Sequence, residues 1–415
     1  MISRIAMVTT RRYFDWAATA LPARFPSPRR EGPAAAAAGE NPAFGNPSSL
    51  HAEGRAARAA LEEARERCAR VLGVKPGEIV FTSGGTEANA LVLFSLLRGP
   101  RAGGGGAELL YSAGEHPSVR ENAAVLKELG VSSAGVSLEK DGRVSEGTLR
   151  RALEKNGPPR MAALMGVNNE TGAINGVKDL VPVIREKTKD RAPAHIHCDL
   201  VQGVGKIPLD LQGWGIDSAA ISAHKIGGPR GTGLLWLKKP LRPLIRGGGQ
   251  EGKIRPGTED TAGALALARA LEERAGAALE AAYQAAADRA AVLMAALRRG
   301  SRPAAADGDQ GFIPLPPDRT DRDGRFSPWI LQAAFRGRHG IIPGEVMVRA
   351  LDERGFAVST GSACSAANRA RPVLDAMGLD RETARGGIRI SQGWSTTMED
   401  IEALARAIGE LRALL

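Results

Sequence analysis

The 415-residue sequence predicts an α/β protein: a larger domain on a mainly parallel sheet with helices on both faces, then a smaller α+β domain. Three observations predict it. Strand-length apolar runs alternate with helical patterns from 78 to 238, the mark of strand–helix–strand units. The chain changes character near 260, where an Ala-rich, helix-favouring stretch begins and runs to 299. Its length also exceeds one ordinary core, so two unequal domains are expected.

The elements follow in order. A helical pattern covers 52–73, and a strand over 78–83 leads directly into a helix from 87. A strand at 107–112, a helix at 117–129, a strand near 132–137 and a helix at 145–155 continue the alternation. Next come a strand at 161–168, a helix at 178–189 and strands at 195–200, 218–223 and 233–238. After the Ala-rich helix at 262–299 and a Pro/Gly/Asp-rich stretch at 301–325, the pattern returns. It predicts strand WILQAAF, helix GEVMVRALDERG, strand FAVST, a strand near 386–392 and a closing helix to Leu415. The expected division is 15–275 for the large domain, with 1–14 and 276–415 forming the small one.

Composition narrows the function classes. Hydrophobic residues make up 43% and charged residues 25%, the balance of a globular protein. Aromatics are only 4%, which argues against a groove that stacks bases. The net charge of +10 rests on scattered residues such as Arg11, Arg12, Arg298 and Arg299, not on one run, so nucleic acid is not expected as a direct partner. Cys68, Cys198 and Cys364 form no CxxC or metal-ligand spacing, and a sparse, odd set suits a reducing cytoplasm. No run approaches 18 apolar residues, and the short stretch Ile5–Val8 is closed off by Arg11 and Arg12, so neither a membrane span nor a signal segment is expected.

Six segments carry possible chemistry. FTSGGTEANA at 81–90 runs a strand through glycines into a helix N-terminus, a place for an anion, though such turns are common for steric reasons. SAHKIGGPRGTG at 222–233 sets Lys225 after a strand end, beside Ser222 and His224. That suits a Schiff base near a phosphate, and equally a turn lysine. HCDLVQGVGK at 197–206 ends an apolar strand on Asp199, a carboxylate that needs a partner there. A protonated ring nitrogen, a helix cap or a loop amide would each serve. GVNNETGAIN offers Asn169 to a polar ligand, or makes a turn. EHPSV places His116 between strand and helix, where a histidine can be structural. STGSACSAAN sets Cys364 among small polar residues, available as a nucleophile, whereas Cys68 and Cys198 read as core packing.

Together, with YFDWAATA at 13–20, FGNPSSLH at 44–51, GGGQEGKIRPGTED at 247–260 and GIRISQGWSTTMEDIEAL at 387–404, these segments resemble the cysteine desulfurases, the sulfur-mobilising branch of the class V aminotransferase family. The resemblance implies the aspartate aminotransferase-like fold of PLP-dependent transferases, a large domain with a mainly parallel seven-stranded sheet plus a smaller α+β domain. It implies pyridoxal 5′-phosphate (PLP) as cofactor, held by Lys225. Gly85, Thr86, Ser222 and His224 would bind its phosphate, with Thr258 reaching it from the partner subunit of a homodimer. Asp199 would pair with the ring nitrogen, Gln202 with the ring hydroxyl, and His116 would stack on the ring and move protons. Asn169 and Arg389 would bind the substrate, Arg389 by its carboxylate.

The implied reaction removes sulfur from L-cysteine, giving alanine and a Cys364 persulfide for a sulfur-acceptor protein. GSAC in a longer loop resembles the branch that serves iron–sulfur cluster assembly and tRNA thiolation. Selenocysteine lyase, or another class V PLP enzyme, is the alternative. Leu200 stands where the family usually has Ala and is expected to tilt the cofactor or narrow the site. The segment after Cys364 is about a residue short and carries two arginines.

Overall fold

The computed structural model describes residues 11–22, 44–99, 106–190, 192–299, 311–361 and 371–415. In chain order it begins with a short strand β1 (Arg12–Tyr13) and helix α1 (Ala52–Leu72), which Gly73 closes in the left-handed conformation at φ 67°. There follow β2 (Ile79–Thr82), α2 (Gly85–Phe94), β3 (Leu109–Ser112) and α3 (Pro117–Glu128). Then come β4 (Ser133–Val136), α4 (Glu146–Asn156), β5 (Met161–Met165) and α5 (Val177–Lys187). The series closes with β6 (His195–Asp199), β7 (Ser218–Ser222) and β8 (Gly233–Leu237).

These strands form one seven-stranded sheet in the order β2-β8-β7-β6-β5-β3-β4. All pairs are parallel except those of β8, which runs antiparallel to both neighbours. The central strands β5, β7 and β8 are buried at every residue. That is why they read as continuous apolar runs and not as an alternation: helices cover both faces. One face packs on α1, α4, α5 and the helix after 260, through Leu61, Leu149, Ile184 and Leu267; the other packs on α2 and α3 through Val92 and Leu126.

The Ala-rich stretch is two helices, not one. α6 (Thr261–Glu272) and α7 (Gly276–Arg299) are separated at Gly276, whose φ of 56° no helix interior accommodates. β9 (Phe312–Pro314), inside the stretch read as irregular, pairs with β10 (Ile330–Gly337). β11 (Gly340–Ile341), α8 (Gly344–Glu353) and β12 (Phe356–Ala357) follow. The chain ends with α9 (Pro372–Ala376), α10 (Arg381–Gly386), β13 (Ile388–Ser391) and α11 (Met398–Leu414). The strand expected over FAVST shortens to β12, with a single bridge from Ser359 to Arg389.

β10 is flanked by β11, β13 and β9, all antiparallel to it. This second sheet packs on α7, α8 and α11 around Phe335, Met347, Leu404 and Ile408. β1 pairs with β12, so the start of the described chain is stitched onto this later layer. No helix among the described residues is long and apolar enough to cross a membrane.

In an open parallel sheet, ligands bind beyond the carboxyl ends of the strands, where the winding reverses. Here the chain builds β4 on one side of β3 and β5 on the other. The turns after β3, β5 and β7 carry His116, Asn169 and Lys225 to that edge, where Asp199 ends β6.

Candidate active site

A cleft of about 650 Å³ lies at the carboxyl edge of the large sheet. Gly85, Thr86, Ser222 and His224 line one part of it, and His116, Asn169, Asp199, Gln202, Lys225 and Arg389 line the rest. Two expected site residues are not among them. Thr258 lies exposed, away from the cleft of this chain, and Cys364 falls outside the described residues.

The phosphate end is built from a helix start. Gly84 is the N-cap of α2, at φ 147° and without a side-chain cap, so the first-turn amides stay available to an anion. A side chain at Gly85 would put its Cβ 2.5 Å from Val201, so only glycine fits there. His224 is set by Thr19 Oγ at 3.1 Å, and burial with nearby Lys225 pushes its pKa down to about 4, leaving a neutral ring.

At the floor, Asp199 ends β6 and is only 4% exposed. Its Oδ1 accepts from the Val201 amide at 3.0 Å and its Oδ2 from Asn89 Nδ2 at 2.8 Å. His116 is the N-cap of α3, and its Nδ1 accepts from the Ser118 amide at 3.1 Å. A neutral ring so held carries its proton on Nε2, and burial keeps it neutral by lowering its pKa against the pull of Asp199.

Lys225 follows β7, and its Nζ donates to the carbonyls of Ala17 and Ala18, both at 2.7 Å. The Ala17 carbonyl also accepts from Gln202 Nε2 at 2.8 Å. Gln202 can point its amide only one way, because Lys206 Nζ donates to its Oε1 at 2.6 Å. Lys206 is 2% exposed, and burial, with Lys225 and Arg389 nearby, brings its pKa down to about 7.

Arg389 sits on β13 and is 2% exposed. It donates to Asp15 Oδ1 at 2.8 Å, to the Asn169 carbonyl at 2.8 Å and to the Gly361 carbonyl at 3.0 Å. Its Nε is buried with no hydrogen-bond partner among the described residues. Leu200 corrects an expectation: it is fully buried and packs against Gly166 and Gly203 in the core behind the sheet edge, so it neither narrows the cleft nor reaches its contents.

The residues fit PLP. An amide-rich cradle suits its phosphate, a buried carboxylate its ring nitrogen, an amide its hydroxyl and a lysine its aldehyde. Sequence reasoning missed Asn89, Ser118, Lys206 and Asp15. All four lie in or beside segments that stood out for other residues, but nothing in their spacing shows that their side chains turn toward the site. Among the described residues there is no cluster able to hold a metal ion.

Comparison with known proteins agrees with this chemistry. The model of the Aminotransferase class-V family matches residues 36–305. A cysteine desulfurase, IscS, of Dictyoglomus turgidum is 35% identical over 382 residues, covering 89% of this chain and 89% of that protein. The solved structure of a NifS-like protein superposes with a TM-score of 0.79 at 30% identity, covering 98% of this chain and 100% of the other. A structure of SspA in complex with cysteine superposes with a TM-score of 0.70 at 28% identity, covering 92% and 98%.

Proposed function

This chain belongs to the class V aminotransferase family, and from that premise we propose that it is a PLP-dependent cysteine desulfurase whose sulfur passes to Cys364. The observation that carries the reading is the convergence of Lys225, Asp199, His116 and Arg389 on one cleft from four separate turns and strands.

PLP, when bound, supplies an electron sink for the charge that develops at the substrate Cα. The chain's residues do the rest. Arg389 grips the substrate carboxylate, with Asn169 beside it. The Lys225 amine takes the Cα proton. Asp199 would hold a proton on the ring nitrogen, and His116 would lie against the ring and move protons through Nε2. The Cys364 thiolate attacks the substrate sulfur: an S–S bond forms, the Cβ–S bond breaks, and its electron pair stays with the carbon skeleton, which is protonated to alanine. The persulfide then passes to an acceptor protein of iron–sulfur assembly or thiolation, in the cytoplasm.

The test is to add L-cysteine to the PLP-loaded protein and assay alanine and protein-bound persulfide together. Equal amounts in the first turnover are expected. Bound PLP with no alanine would overturn the substrate and send the test to selenocysteine.

The homodimer reading is supported by exposed apolar side chains: Leu50 is 89% exposed and Ile245 63%. Thr258 would then complete the phosphate site across the interface. Sedimentation is expected to give twice the chain mass; a monomer that binds PLP tightly would remove Thr258 from the site.

Lys206→Met is expected to stabilise the cofactor-free protein by about 1–4 kcal/mol below pH 7, because a buried charge with a single neutral acceptor disappears. The lysine's folded pKa, about 7, lies below its unfolded value. The unfolded chain therefore holds the extra proton between those values, so the cost of Lys206 is full below pH 7 and fades as pH rises above it. Thermal melts at about pH 6 and about pH 9.5 check this; an equal gain at both would assign it to packing. The same variant frees Gln202 to turn and is expected to release PLP faster.

A further inference from the structure

Behind the cleft floor lies a line of buried polar side chains that none of the roles above uses. Asn89, on α2, is fully buried. Its Nδ2 donates to Asp199 Oδ2 at 2.8 Å and to Ser118 Oγ at 2.8 Å. Ser118 Oγ in turn lies 2.8 Å from His116 Nδ1. On its other side, Asn89 Oδ1 is 2.8 Å from His197 Nε2, and His197 Nδ1 is 2.8 Å from Ser218 Oγ. Ser218 Oγ also meets His195 Nε2 at 2.7 Å.

The polarity of this line follows from its end. Asp199 can only accept from the amide, so Asn89 presents its nitrogen to Asp199 and its oxygen to His197. His197 must then carry its proton on Nε2 and accept at Nδ1 from the Ser218 hydroxyl. Ser218 accepts from His195 Nε2. On the near side, Ser118 accepts from Asn89, which leaves its hydroxyl proton for His116 Nδ1. Each donor has one acceptor, and all the bonds on the far side point toward Asp199. Burial pushes the His197 pKa down to about 3, so that ring stays neutral and the polarity does not reverse. A satisfied buried network of this kind holds one arrangement, because any turned amide would leave polar groups unpaired.

We infer that Asn89, oriented by His197 and Ser218, is the positioning residue that fixes Asp199 and, through Ser118, His116 relative to each other. The inference rests on the reading of Asp199 as the partner of the PLP ring nitrogen. Asp199 must present one face to a ring while His116 stands over that ring, and a single amide bonded toward both sets their separation. The Asn89–His197 bond keeps that amide from turning its oxygen onto Asp199.

Four variants of the PLP-loaded protein test it. Asn89→Asp keeps the size but places two carboxylates where a 2.8 Å hydrogen bond stood. Asn89→Leu keeps the size without the charge. His197→Phe removes the donor to Asn89, and His197→Gln restores one. The readouts are PLP dissociation followed by absorbance, kcat and KM for L-cysteine, and the melting temperature of the cofactor-free protein.

Asn89→Asp is expected to lower kcat about 100-fold with KM within about 2-fold, and to speed PLP release about 10-fold, exceeding Asn89→Leu on both counts. His197→Phe should lower kcat about 10-fold, and His197→Gln should recover most of it. A folded Asn89→Asp with wild-type kcat and PLP retention would overturn the inference, since packing alone tolerates an isosteric change. If the Asn89 variants do not fold, equal kcat in the two His197 variants overturns it. A wild-type protein that takes up no PLP would instead refute the cofactor reading; wild-type uptake with indistinguishable variants refutes only the role of Asn89.

Discussion

Lys225→Ala is expected to abolish turnover of L-cysteine, a fall of about 10⁴-fold or more, and to lose the absorbance of covalently held PLP. The size of the effect follows from the cleft. Lys225 is the one ammonium among its described lining residues. Lys206 is buried behind Gln202, with its Nζ on that side chain, and the guanidinium of Arg389 cannot take a proton from carbon. Among the described lining residues no second amine can therefore replace the lost Schiff-base nitrogen. Dialysis against PLP followed by an absorbance scan and an alanine assay checks both parts. Retained turnover would remove Lys225 from the mechanism.

Cys364→Ser is expected to keep the PLP absorbance and to lose persulfide formation by about 10³-fold or more. The other two thiols cannot substitute. Cys68 and Cys198 are fully buried. Burial pushes the Cys68 thiol up to about 12 and the Cys198 thiol well above its ordinary value, so neither offers a thiolate. Cys364 itself lies outside the described residues; Gly361 and Pro372, which flank it in sequence, both line the cleft. Persulfide trapped with an alkylating reagent, with PLP absorbance measured on the same sample, separates the nucleophile from the cofactor site. A serine variant that still accumulates persulfide would move the sulfur to another residue.

The large sheet was legible because its strands are buried on both faces and its helices are amphipathic, two periodicities that a sequence displays openly. The second sheet was legible only in part. β9 hides in a Pro-rich stretch because a three-residue strand has no period to read, and FAVST mostly gives up strand geometry for a turn at Gly361 beside Arg389. Residues at strand ends, such as Asp199 and Lys225, were legible because a polar group at the end of an apolar run demands a reason. Asn89 and Lys206 were not. Asn89 sits inside a helix with partners across the fold, and Lys206 sits in a run of turns where nothing shows that its side chain folds back, buried, onto Gln202. Leu200 misled for the same reason: its neighbours in sequence face the cleft, while its side chain packs backward onto Gly166.

The ion pair between Asp15 and Arg389 joins residues 374 positions apart, and Lys225 and Gln202 both rest on carbonyls from the same early segment. A ribosome therefore releases the first wall of the cleft long before the last. The large sheet can form while the remainder is still being made, but the Asp15–Arg389 ion pair cannot exist until β13 has emerged. Assembly of the wall formed by Asp15 and Arg389 is accordingly an event of the finished chain. A messenger that ends before residue 389 would yield a product with its lysine and its sheet, yet with Asp15 lacking its ion-pair partner.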